Sequence, residues 1–154
     1  MRIPKSKYDI VIDIVCLLCL IGLVLFLAIA WPNIPDEIPG HYNAKGDIDK
    51  ITGKGSLVFL SAMGWAMYAL LFVVELFPQT WNTGVKVTKE NMWRVYRTLK
   101  SRIAIIKLLM VLVFTFLAVY SALALPLPML FTPVYLVLIF GSIIFFTVKL
   151  IMVK

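Results

Sequence analysis

Residues 10–30 read IVIDIVCLLCLIGLVLFLAIA and run directly into Trp31-Pro32. A helix needs roughly 20 mostly apolar residues to cross a bilayer, and Asp13 is the only charge in this run. Trp31 suits the membrane–water interface, and Pro32 cannot continue the helix. A secretory signal has an apolar region of only about 7–15 residues, so the run is predicted to be a permanent span despite the cleavage-like Ala28-Ile29-Ala30.

Working outward, three more apolar runs follow: 57–77, ended by Pro78; 103–125, ended by Pro126 and Pro128; and 133–153, with Gly141-Ser142 midway. The composition agrees. Of 154 residues, 62% are hydrophobic and 15% charged, against about 45–50% and about 25% in soluble domains. An ordinary soluble domain, a disordered chain and a collagen-like chain are excluded. The predicted fold class is an all-α membrane protein with four transmembrane helices. Its segments are a cytoplasmic tail 1–9, span 10–30, extracellular loop 31–56, span 57–77, cytoplasmic basic loop and amphipathic helix 78–102, span 103–125, short outer turn 126–132 and span 133–153. The uncharged 126–132 link makes the last two spans a tight hairpin.

Orientation follows from Lys and Arg. With both termini inside, twelve of the 15 lie on the cytoplasmic side and three, Lys45, Lys50 and Lys54, outside. The positive-inside rule therefore selects N-in, C-in. The net charge of +7 is spent on flanking these runs, so nucleic acid is not an expected partner, whereas the lipid bilayer is. Cys16 and Cys19 lie inside the first span and read as small apolar fillers. Ser61, Ala62, Gly64, Ala66 and Ala69 in the second span would let another helix approach closely.

The 31–56 loop reads WPNIPDEIPGHYNAKGDIDKITGKGS. Pro32, Pro35 and Pro39 stiffen it, Asn43 and Gly46 favour turns, and apolar side chains lie among its charges. It should pack as a small structured cap. It holds the only histidine, His41, with Asp36, Glu37, Asp47 and Asp49. Their spacing fits neither an EF-hand nor a zinc signature, so no metal or cofactor is expected. Acid–base catalysis by His41 would need a substrate pocket the sequence does not reveal, and no catalytic residue is assigned.

The stretch from Ile34 to Asp49, followed by Lys54, resembles the bacterial membrane family catalogued as domain of unknown function 1648. The shared order is a proline-rich entry, then His, an aromatic and Asn, a Gly, an Asp, and a Lys before the second span. Residues 82–91, with Tyr96 beyond, are similar to the family's segment after that span. Lys50 and Thr52 stand where glycine is common. The resemblance implies a relative of SdpI, a membrane immunity protein against a secreted sporulation-delay toxin. It implies a non-enzymatic protein of the bacterial cytoplasmic membrane that protects against, or senses, an extracellular peptide toxin. Pro35, Pro39, His41, Tyr42, Asn43, Gly46, Asp47, Asp49 and Lys54 then form a ligand-binding or structural loop motif. The alternative is an accessory subunit of a membrane transporter or envelope enzyme complex.

On the inner side, Thr88 can cap a helix in which Met92, Val95, Tyr96, Leu99 and Ile103 share one face. Lys89, Arg94, Arg97, Lys100 and Arg102 are candidate contacts to inner-leaflet lipid or a cytoplasmic partner. Asp13, Glu75 and Lys107 fall at similar depth near the cytoplasmic ends of their spans, where Lys107 can pair with either carboxylate.

Overall fold

The computed structural model describes residues 3–153 of the chain. Four helices carry the apolar runs: α1 (Lys7–Ala30), α2 (Ser56–Leu76), α3 (Met92–Ala122) and α4 (Phe131–Met152). All four are long and apolar enough to cross a membrane, as expected of a multi-pass membrane protein. Between α1 and α2 lie two antiparallel strands, β1 (Glu37–Tyr42) and β2 (Ile48–Gly53). The fold is therefore mostly helical rather than all-α.

α1 starts three residues before its apolar run. Ser6 caps it: its hydroxyl accepts from the Asp9 N–H at 3.3 Å, and the Asp9 carboxylate accepts from the Ser6 N–H at 2.8 Å. This reciprocal box satisfies two otherwise orphaned donors. At the far end, Trp31–Asn33 forms a single 3-10 turn, as Pro32 dictates.

α3 also departs from the sequence reading. The amphipathic segment and the third span form one unbroken helix of 31 residues. At 1.5 Å per residue it is about 46 Å long, against a hydrocarbon core of about 30 Å. It is longer than one upright crossing needs, and the excess is its basic first turns. Thr88 does not cap it. The helix begins at Met92, and Thr88 and Asn91 instead exchange bonds between backbone N–H and side-chain oxygen, at 2.7 and 3.3 Å, just ahead of it. α4 begins at Phe131, with Pro133 in its first turn, where a missing N–H costs nothing.

α3 is the central helix, packing against α1, α2 and α4, while α1 and α2 touch lightly. Gly64 makes one close approach possible. A Cβ there would come within 3.3 Å of Leu20 and 3.4 Å of Phe114. At the hairpin end, Leu23, Leu27, Leu57, Ala118 and Ala122 form a core that also takes in Ile34 and Ile38. A second core, of Ile12, Cys16, Leu20, Tyr68, Ala104 and Val111, lies toward the other end. The outward faces of the helices remain apolar and exposed, as a lipid solvent requires.

Candidate functional site

Two constellations of polar side chains stand at opposite ends of the bundle. The first is the hairpin. Asn43 folds its turn: its side-chain oxygen accepts from the N–H of Lys45 at 2.8 Å and of Asp47 at 3.1 Å. Its amide also donates to the Asp47 carboxylate at 3.1 Å. Gly46 completes the turn at φ +90°, and its carbonyl accepts from the Leu127 N–H at 2.9 Å. That bond ties the hairpin to the α3–α4 link.

Pairing slips by one residue beside Gly40 and again beside Asp49. Such bulges re-aim side chains. Here His41 Nδ1 meets Asp49 Oδ1 at 2.6 Å, with both side chains exposed. Tyr42 points the other way. Its hydroxyl donates to the Leu125 carbonyl at 3.2 Å and lies 3.3 Å from the Ser121 hydroxyl. Burial pushes the Tyr42 phenol above its ordinary pKa, opposed by the Ser121 hydroxyl. At the base of the hairpin, the Lys54 ammonium meets the Asp36 carboxylate at 2.8 Å and lies 5.7 Å from the Trp31 ring centre. That hydrogen bond and charge hold the Asp36 carboxyl below its usual range. Pro35 is exposed and Pro39, opposite Ile51, is buried.

An open cavity of about 290 Å3 is lined by His41, Tyr42, Leu60, Leu117, Ser121 and Phe131. Among the described residues, no three His, Cys, Asp or Glu side chains converge so as to hold a metal ion.

The second constellation is the charge network at the other end. Lys107 Nζ donates to Asp13 at 2.6 Å and to Glu75 at 2.7 Å. Lys5 donates to the second oxygen of Asp13. One turn earlier on α1, Arg97 bonds Asp9 at 2.7 Å and also reaches the Ser6 hydroxyl. Lys100 is buried and donates to the Ile3 carbonyl at 2.6 Å. On α3, Arg97, Lys100, Ala104, Lys107 and Val111 recur at three- and four-residue steps, which places them on one stripe.

Two of the five residues assigned to lipid or partner contact are thus corrected. Arg97 and Lys100 turn inward, because the segment before α1 folds back against α3 and supplies their acceptors. Val95 and Leu99 likewise pack on Leu150 of α4 rather than on lipid. Lys89 and Arg94 stay exposed, and Arg102 is half-buried. The sequence reading also missed Ser6 and Asp9. The Ser-x-x-Asp spacing ahead of an apolar run was the available signal.

No curated protein and no solved structure matches the chain. Residues 17–64, from the middle of α1 through the hairpin into α2, match the model of the family described as Domain of unknown function (DUF1648).

Proposed function

We propose that the chain is a non-enzymatic protein of the bacterial cytoplasmic membrane, SdpI-like in role, that protects against or senses an extracellular peptide toxin. In this reading both termini are cytoplasmic and the hairpin faces outward. The observation that carries it is the fastening of the hairpin. Ile38 sits in the helical core, Tyr42 is bonded to α3 and the link following it, and Gly46 is bonded to Leu127. His41, Asp47, Asp49 and Lys50 are left exposed on that fixed base. A surface already held in place loses little freedom when a ligand docks, which favours recognition. A ligand would reach the inner end only by preferring one arrangement of α3.

Deleting the gene in its host and challenging cells with secreted antimicrobial peptides tests this. Killing by a cognate peptide should rise, the intact chain should restore protection, and Asp49→Asn at equal expression should not. Unchanged sensitivity across the panel contradicts the reading.

A second reading, an accessory subunit of a transporter or envelope enzyme, is favoured by α2. Ala62, Ala66 and Ala69 face outward, whereas Ser61 and Gly64 face the bundle. Small outward residues suit contact with another membrane helix. A stoichiometric larger partner in mild-detergent purification would favour it.

A further inference from the structure

A cavity of about 660 Å3 lies at the end of the bundle away from the hairpin. α3 forms its floor at Leu99, Arg102, Ile103 and Ile106, and the 80–85 loop and last turns of α4 wall it. Thr147 and Ile151 on the α4 side are exposed, so it opens sideways onto the helix flank. Its volume falls within the range of sites that hold a drug-sized molecule.

The donors and charges in it are unequal. At this end of the bundle Lys5, Arg97 and Lys107 all have carboxylate partners. Arg102 has none among the described residues, and no acidic side chain lines the cavity. The hydroxyls of Thr80 and Thr83 already donate to the carbonyls of Phe77 and Val85, at 2.8 and 2.9 Å. Asn82 commits its side-chain oxygen to the Gly84 N–H at 3.0 Å, which leaves its amide hydrogens to donate. The donors without partners are thus a guanidinium and an amide, and both suit a phosphate. The rest of the floor, with Leu150 and Ile151 of α4, is branched aliphatic surface, which suits hydrocarbon; the Thr147 hydroxyl beside them already donates to the Ile143 carbonyl at 2.7 Å. Arg102 also stands where the basic start of α3 gives way to its apolar run, the level at which phospholipid headgroups lie.

We propose that this cavity binds an anionic phospholipid, its phosphate at Arg102 and Asn82 and an acyl chain along Ile103, Ile106 and Ile151. A free phosphate would leave the aliphatic walls unused, and a zwitterionic lipid would bring a second cation toward Arg102.

The test uses the full chain in mild detergent, with bound lipid counted by native mass spectrometry. Phosphatidylglycerol, phosphatidylcholine of the same acyl chains, and inorganic phosphate are the probes. Phosphatidylglycerol should bind about tenfold more tightly than phosphatidylcholine, and Arg102→Gln should remove that preference. Arg102→Lys should retain part of it, and Lys7→Gln, at an exposed position outside the cavity, should leave it intact. Asn82→Leu, in the loop, should weaken the preference if Arg102→Gln does not fold. Equal binding of the two lipids overturns the proposal, as does a Lys7→Gln effect as large as that of Arg102→Gln. Displacement of the lipid by equimolar inorganic phosphate would assign the site to a soluble anion instead.

Discussion

Lys107 on α3 and Asp13 on α1, 94 positions apart in the chain, meet at 2.6 Å in the interior of the bundle. Glu75 of α2 closes on the same ammonium at 2.7 Å, so one cation joins three helices. The Lys107 side chain is 1% exposed, and ions so far from water are tolerated only when paired.

Among the described residues Glu75 bonds only Lys107, whereas Asp13 also has Lys5. Lys107→Met should therefore strand the Glu75 carboxylate and destabilise the fold by about 3–5 kcal/mol. Adding Glu75→Gln should recover most of that loss. Denaturant unfolding in detergent micelles measures both, and a Lys107→Met variant as stable as the parent would contradict the pairing.

Gly46 sits at φ +90°, and a Cβ there would lie 2.6 Å from the Leu127 carbonyl oxygen. Gly46→Ala should cost about 1–3 kcal/mol at that contact and loosen the hairpin while sparing the helices. Hydrogen exchange should then speed up over residues 43–53 with α1–α4 unchanged. Uniform protection would mean that the hairpin does not depend on this joint.

Four helices were legible because apolar runs of span length end at Pro32, Pro78 and Pro126, and that signal does not depend on tertiary context. The hairpin was not. Pro39 and Gly40 are poor strand residues and read as loop. They are tolerated because both strands of a two-stranded ribbon are edges, and because the register slips beside Gly40, where a Cβ would strike Thr52 at 2.7 Å. Charge at similar depth indicated that Lys107 could pair with Asp13 or Glu75. The sequence could not show that one ammonium takes both, or that Ile3 and Pro4 fold back to occupy Lys100 and Arg97, because those contacts depend on how α1 lies across α3.

The Asp36 carboxyl titrates lower in the folded chain than in the unfolded one, because of the Lys54 ammonium beside it. Its contribution to stability is therefore present above the ordinary carboxylate value of about 4 and is lost as the pH falls through the lowered folded value. The Asp36 side chain is 92% exposed, so the effect on overall stability is small. The effect on the titration itself is measurable. In Lys54→Met the Asp36 midpoint, followed by carboxyl carbon NMR, should rise toward the ordinary value. An unchanged midpoint would remove Lys54 as the cause.

In the proposed arrangement four crossings put the hairpin and the basic start of α3 on opposite faces of a membrane, with the hairpin outside. Single cysteines at Lys45 and Arg94, with Cys16 and Cys19 replaced by Ala, test it through a thiol reagent that cannot cross intact cells. Lys45→Cys should react in whole cells and Arg94→Cys only after the membrane is opened. Labelling of Arg94→Cys in intact cells with Lys45→Cys protected would contradict the arrangement.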